Sequence, residues 1–433
     1  MSVLRKISSG YIGSILALIS ASTLAQMIAI LMQLVLRRLY APAVFGALAV
    51  CVSIIEIIVA FGTLRYENAI VLPEKEEPAA NLLGLSFIIS ILINVFFLFV
   101  IIIIQPFLIK LLNFPPEYAW WFYLIPLISM VFSFYQAINY WLIRRKAFSA
   151  ISWNKMWRRG AEGGVQFFMG ITKMPVGMMI GTLAGHLLNF LSGAYQMYRK
   201  GFKYSMISKS GMKSVMKEYA DFARYGAFPS MLNTFSALLP VFIINRIYSE
   251  TITGYFDLSR QVLLVPVALI SASIAQVFTE RFNARKLKGE PIMRELLRTY
   301  GVLLIIAVVA MIVIIPFGGE VFRLVFGKNG YESGLYARIL VFALPIKLLA
   351  SSSIPVFYVF EKVKTGGFWQ GFYFIAILSM LLLPKISIEK FLAFYVIVEI
   401  MCFILCIVLV IRIIKKYEEG IVIRNNSDGI PKA

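Results

Sequence analysis

The stretch Leu34–Gly46, LVLRRLYAPAVFG, has a second copy further along the chain, FIINRIYSETITG, Phe242–Gly254. At a constant offset of 208 residues, Arg38 matches Arg246, Tyr40 matches Tyr248 and Gly46 matches Gly254. Apolar residues answer apolar residues at Leu34/Phe242, Val35/Ile243, Leu36/Ile244, Leu39/Ile247 and Val44/Ile252. Each copy reads as an apolar helix running into Arg, an aromatic residue and a short turn, with a second apolar helix after the Gly. Three identities in thirteen positions carry little weight in so apolar a chain. The offset carries more, because it is close to half of the 433 residues. A duplicated membrane unit of this kind predicts two related lobes with a path at their interface.

The totals agree with a membrane protein. The chain is 60% hydrophobic and 15% charged, with a mean hydropathy of +0.82, whereas a soluble domain is about half apolar and about a quarter charged. Apolar runs of 18 or more residues recur along its length, which predicts a polytopic helical fold. Membrane β-strands would instead alternate over about ten residues. The net charge of +20 would suit nucleic acid, but most Lys and Arg sit between apolar runs, where positive-inside topology accounts for them. No nucleic-acid partner is predicted. Cys51, Cys402 and Cys406 all fall in apolar segments and read as small apolar side chains. No His or Cys cluster supports a metal, and neither a cofactor nor a disulfide is implied. The apolar run after Tyr11 reaches Leu36, too long for a cleavable signal, and predicts the first transmembrane helix.

Helices are predicted at about 11–36, 43–63, 80–104, 118–142, 156–172 and 175–198, then 222–245, 254–279, 296–317, 337–359, 367–384 and 390–412. The fold class is therefore all-α membrane, with about twelve transmembrane helices in two pseudo-symmetric six-helix lobes around a central cavity. The fifth helix is the weakest, since Gly160, Gly163, Gly164 and Gly170 dilute it and Glu162 lies inside it. Loop charge supports keeping it. With the N-terminus inside, basic sets at 144–159, 199–217 and 281–298 all fall on the inner side, and only sparse Lys on the outer. Eleven spans would break that alternation. Residues 1–198 form the N-terminal lobe and 199–218 a basic cytoplasmic linker with amphipathic character. Residues 219–414 form the C-terminal lobe, and 415–433 a polar, partly disordered cytoplasmic tail.

An ionisable side chain inside a membrane helix costs roughly 2.5–3.5 kcal/mol, so each one asks for a reason. Lys347 lies nine residues into the tenth helix, about 13 Å deep at about 1.5 Å per residue. Pro345 and Pro355 flank it and predict local unwinding. Lys347 either lines a cavity or pairs with Glu399, at similar depth on the twelfth helix. Asp257 and Arg260, three residues apart on the eighth helix, pair on one face or act in the path. Arg38, Arg246 and Arg224 sit at helix ends, where snorkelling is the default, yet the repeat gives Arg38 and Arg246 equivalent places in the two lobes. The candidate cationic cavity is thus Lys347, Arg260, Arg246, Arg38 and Arg224, with Glu56, Asp257 and Glu399 as candidates for coupling to an ion such as H+ or Na+. Gly177, Gly181 and Gly185 read as a helix-packing face, His186 as a hydrogen-bonded helix residue, and Tyr118, Trp120, Trp121 and Tyr123 as an interfacial belt. The sequence carries no G-x-S-x-G elbow, P-loop or zinc motif.

RRLYAPAVFGALAV, followed by LRYENAIVLPEKEEPAANLLGLS from Leu64 to Ser86, resembles the N-terminal half of Wzx-type oligosaccharide-lipid flippases. These form part of the polysaccharide-transport branch of the multidrug/oligosaccharidyl-lipid/polysaccharide exporter superfamily. GYFDLSRQVLLVPVALISASIAQVFTERFNAR, Gly254–Arg285, resembles that family's eighth-helix segment, and the likeness covers most of residues 5–290. The resemblance implies a non-enzymatic exporter that moves undecaprenyl-diphosphate-linked oligosaccharide from the inner to the outer leaflet of the bacterial cytoplasmic membrane, with both termini cytoplasmic. It implies membrane lipids, a polysaccharide polymerase and a chain-length regulator as company. A drug or cation antiporter of the same superfamily is the main alternative and calls for an acidic cavity. A membrane polysaccharide polymerase or ligase is the second and calls for a large outer loop.

Overall fold

The computed structural model describes Ile28 and residues 31–427. Most of the first predicted helix and the last residues of the predicted tail lie outside the described residues. Within them the secondary structure is helical, with no strand. Among the described residues nine helical segments are long and apolar enough to cross a membrane. Two further helices, α6 (Phe148–Ile171) and α7 (Gly177–Arg199), are more polar, yet at about 1.5 Å per residue each exceeds the roughly 30 Å hydrocarbon core. With the helix predicted for the residues before these, that is consistent with about twelve spans.

By internal contacts the chain divides into two compact units, up to Gly254 and from Tyr255 onward. The division falls at the second copy of the repeated motif, not at the basic segment 199–218. The first unit holds α1 (31–39), α2 (Pro42–Phe61), the short α3 (Tyr66–Ala69), α4 (Glu76–Leu112), α5 (Leu124–Arg144), α6 and α7. It continues through α8 (Lys209–Glu218), a π-helical turn at Phe222–Ala227, and α9 (Phe228–Ile247). Several helices outrun their predicted bounds. Lys155, Arg158 and Arg159, counted with the inner loop charges, lie inside α6 and are half-buried.

That packing explains the glycine spacing. A Cβ on Gly181 would overlap the Gln166 side chain and press on the Glu162 carbonyl, and one on Gly185 would lie 2.8 Å from Glu162 Cβ. The predicted packing face of α7 is thus a seam against α6. His186 lies beside it with its ring 4.4 Å from that of Phe132, and its buried Nδ1 makes no hydrogen bond. The aromatic belt is also partly a core. Trp121 is fully buried and stacks on Tyr118, while Trp120 and Tyr123 stay exposed.

The basic segment is ordered against the first unit. Asn81 of α4 donates to the Met206 carbonyl (3.1 Å) and accepts from Ser208 N–H (2.9 Å). Ser208 then caps α8 by accepting from Gly211 N–H at 3.0 Å. Val215 is buried in a cluster with Tyr66, Leu82, Trp141 and Phe202, and Lys209, Lys213 and Lys217 point outward at helical spacing.

The repeat is visible as geometry. A Cβ on Gly46 would overlap the Glu250 carbonyl, and a Cβ on Gly254 would overlap the Pro42 carbonyl. Pro42 and Glu250 are themselves one repeat offset apart. Equivalent residues of the two copies therefore touch one another reciprocally, as segments related by a local two-fold axis do.

The second unit holds α10 (Glu250–Lys288, from Tyr255 onward), α11 (Met293–Phe326), α12 (Gly330–Leu340), α13 (Leu344–Ser353), α14 (Pro355–Val359), α15 (Val363–Leu378) and α16 (Ile388–Ser427). The predicted tail is a helix as far as Ser427, because its residues have backbone groups to serve. Glu418 accepts from the N–H groups of Ile292 and Met293 at 2.6 and 2.7 Å, where α11 begins with unpaired donors. Glu418→Ala lowers the unfolding free energy by about 1 kcal/mol, measured as a small drop in melting temperature in detergent. Nearby, Lys286 bonds the Val359 carbonyl (2.8 Å) and Glu361 (3.0 Å), which holds the exposed Glu361 carboxyl below its usual range.

Candidate functional site

The two prolines that flank Lys347 shape its helix as the sequence predicts. A 3-10 turn at Val341–Ala343 precedes α13, and the helix is interrupted at Ile354 before Pro355. Lys347 Nζ donates to Glu399 Oε1 at 2.6 Å, with side chains 17% and 4% exposed. The same oxygen accepts Tyr395 OH at 2.7 Å and Tyr373 OH at 3.2 Å. Helical spacing makes this possible. Tyr395, Glu399 and Phe403 recur every four residues on one face of α16, and Trp369 and Tyr373 do so on α15. Trp369 Nε1 donates to the Cys402 carbonyl (2.8 Å) and stacks on Tyr373, and Lys347 Nζ lies 5.4 Å from the Phe403 ring centroid.

Of the two roles open to Lys347, the geometry shows the ion pair. A buried carboxylate that holds an ammonium and two phenols is already compensated. Arg260 stands within electrostatic range of Tyr373 and Tyr395. Asp257, buried, accepts from Gln261 Nε2 at 2.7 Å. The second unit thus gathers Lys347, Glu399 and Arg260 around two tyrosines, with Asp257 one turn from Arg260.

In the first unit the repeat sorts its polar residues by burial. Arg38 and Arg246 are both exposed at their helix ends. Their neighbours Arg37 and Asn245, also equivalent under the offset, are both buried. Arg37 Nη1 donates to the Gly254 carbonyl (3.1 Å) and its guanidinium covers Phe45 at 3.7 Å; Asn245 donates to the Leu112 carbonyl at 2.5 Å. The sequence places Arg37 beside Arg38 at the helix end, and the polar-for-polar match with Asn245 is the signal that separates the buried residue from its exposed neighbour. Glu56 is exposed on α2 and within electrostatic range of Arg158. Arg158 and Arg159 flank Glu162 at 4.0 and 3.0 Å, so the helix expected to be weakest carries its own compensated charges. Arg224 lies exposed in the π-helical turn. Among the described residues no group of His, Cys, Asp and Glu is placed to hold a metal.

The family profile described as polysaccharide biosynthesis protein matches residues 35–333, more than half of the chain. The chain belongs to that family. No curated protein sequence matches it significantly. Among solved structures, it is similar to a multidrug resistance MATE family transporter of the MOP superfamily in an inward-facing conformation. The TM-score is 0.74 at 14% identity, covering 91% of this chain and 96% of that one. It is equally similar to the lipid II flippase MurJ in an inward closed conformation, with a TM-score of 0.74 at 12% identity, covering 96% and 94%. An MOP superfamily transporter from Pyrococcus furiosus, described by the reverse polarity of its binding pocket, gives a TM-score of 0.62 at 15% identity over 94% and 95%. At these identities the likeness establishes the fold. This member of the polysaccharide biosynthesis family is a multi-pass membrane protein with the fold of MOP superfamily transporters.

Proposed function

We propose that the chain is a flippase that carries polyprenyl-diphosphate-linked oligosaccharide repeat units from the inner to the outer leaflet of the bacterial cytoplasmic membrane, for surface polysaccharide assembly. The observation that carries the reading is the pairing of a polysaccharide-biosynthesis sequence with a transporter fold. A family concerned with glycans but built as a transporter has a lipid-linked glycan as its natural cargo. MurJ, of the same fold, is a lipid II flippase by description, which supports that cargo class.

The physics is that of a charged headgroup crossing hydrocarbon. A diphosphate in an apolar medium carries a prohibitive desolvation cost, and fixed cations in a wet path offset it while the prenyl chain stays in lipid. Arg260, Arg246, Arg38 and Arg224 are the candidate cations, and Glu56 and Asp257 the candidates for ion coupling. The path opens to each face alternately, both termini are cytoplasmic, and no bond is made or broken. A drug or cation antiporter of the same fold calls for free acids. Glu399, buried in the second unit, is instead occupied by Lys347.

Deleting the gene in its own host tests the cellular claim. Lipid-linked repeat units accumulate with their sugars facing the cytoplasm, surface polysaccharide falls severalfold, and the intact gene restores both. Unchanged surface polysaccharide with no such accumulation contradicts the reading.

A further inference from the structure

A polar stripe runs through the interior of the first unit. On α7 it holds His186, Asn189, Ser192 and Gln196, spaced by three or four residues, and on α6 Asn154, Arg158 and Glu162, spaced by four. Either spacing keeps to one helix face, and the two faces meet. Ser192 Oγ donates to Asn154 Oδ1 at 2.9 Å, and a Cβ on Gly185 would lie 3.0 Å from the Arg158 carbonyl oxygen. The third wall is α5. A Cβ on Gly193 would lie 3.0 Å from the Tyr135 ring, and Phe132 stands against both His186 and Arg158.

The stripe is buried without being satisfied. Asn154, Asn189, His186 and Tyr135 are 0%, 2%, 3% and 7% exposed. Among the described residues, Asn154 Nδ2, Asn189 Oδ1, His186 Nδ1, the Tyr135 hydroxyl and Arg158 Nε nevertheless find no hydrogen-bond partner. Gln196 Oε1, near the end of α7 at Arg199, is a sixth such atom on the stripe. Tyr135 stands close enough to Asn154 and Arg158 to feel both, yet in no bonding geometry. The next residue on the α6 face shows the contrast, since Gln166 Nε2 donates to the Met178 carbonyl at 3.1 Å.

Orphaned polar groups are costly at membrane depth, and native folds keep them where ordered water serves them. The charges point the same way. Arg158 lies ten residues into α6, about 15 Å at about 1.5 Å per residue, which is half of a roughly 30 Å core. It shares Glu162 with Arg159, with Glu56 of α2 within electrostatic range, and ionised groups at such depth face water. The chemistry of the orphans selects the ligand. Asn154 Nδ2, Arg158 Nε and the Tyr135 hydroxyl can donate, whereas Asn189 Oδ1 can only accept. Water meets both needs, and a bare anion or cation meets one.

We propose that α5, α6 and α7 enclose a site for ordered water, a short file that serves Tyr135, Asn154, Asn189 and His186 and solvates the Arg158–Glu162–Arg159 cluster. At about three hydrogen bonds per molecule, six orphaned atoms call for about two or three waters. Half-buried Gln196 opens the file toward the basic end of α7, so an ionised cluster inside the membrane stays in contact with the aqueous side. This site is independent of the transport reading, and its failure leaves that reading as it stands.

Radiolytic labelling of the wild-type chain in lipid nanodiscs tests it, because hydroxyl radicals made from bound water oxidise the side chains beside that water. Tyr135 and His186 are expected to label severalfold faster than Phe122, which is equally buried in the same unit. Tyr135→Phe then slows the labelling of His186 and lowers the melting temperature by about 2–4 °C, since it takes one bond from the water. Asn189→Leu lowers it likewise. Labelling of Tyr135 and His186 no faster than that of Phe122 overturns the site. So does a Tyr135→Phe chain that melts above the wild type, as deletion of a dry orphan does.

Discussion

Glu399→Ala destabilises the folded chain by about 3–5 kcal/mol, the usual cost of leaving a buried charge without its partner. At about 2–4 °C per kcal/mol for a unit of this size, the melting temperature in detergent falls by roughly 10 °C. Lys347 Nζ donates to Glu399 Oε1 at 2.6 Å, and the two tyrosine hydroxyls on that oxygen lose their acceptor in the same stroke. Replacing the whole pair with apolar residues, as in Lys347→Met with Glu399→Leu, recovers most of the loss, because it removes the ammonium along with the carboxylate. Thermal unfolding of the two single variants and the double variant measures the coupling. Additive losses contradict the ion pair. Transport retained in the double variant fixes Lys347 as structural, and transport lost at full stability returns it to the substrate path.

The second large effect sits at the repeat. Gly46→Val and Gly254→Val each cost about 3 kcal/mol, at the upper end of overpacking penalties, because the obstruction is a backbone carbonyl that cannot rotate aside. The two variants are expected to match each other, since Gly46 meets Glu250 and Gly254 meets Pro42 in reciprocal fashion. Gly164→Ala in α6 is the control. Nothing lies within 4 Å of a Cβ there, and Ala gains about 1 kcal/mol over Gly in a helix interior. A Gly46→Val chain that melts with the wild type would remove the close crossing.

Those glycines show what the sequence made legible. A fixed offset and matched burial are properties of a duplicated fold, so Arg38/Arg246 and Gly46/Gly254 declared the architecture before any coordinate did. Hydropathy placed the apolar spans for the same reason, because burial in lipid depends on composition alone. Partner choice is different. Arg158 and Arg159 count as inner-side charges in the topology, while their spacing to Glu162 on one helix face, legible in the sequence, is what pairs them. For Lys347 the sequence offers both a cavity and a pairing with Glu399, because matched depth on two helices 52 residues apart does not say whether they face each other; the structure pairs them. Nothing in LRYENAI announces the left-handed backbone of Leu64 and Arg65, and the π-helical turn is a hydrogen-bond register that no periodicity signals. The tail past Lys415 read as solvated because its capping targets, Ile292 and Met293, belong to a distant loop.

Movement of a lipid-linked glycan across a bilayer is the claim that everything above serves. The direct measurement reconstitutes the purified chain into liposomes that carry a fluorescent undecaprenyl-diphosphate-linked oligosaccharide, with a membrane-impermeant glycosidase added outside. The protected inner-leaflet half of the glycolipid is expected to become digestible within minutes, in proportion to the protein present and slowed severalfold by Arg224→Gln. Protection of the inner half that persists as in protein-free liposomes, with the chain folded and inserted, would contradict it.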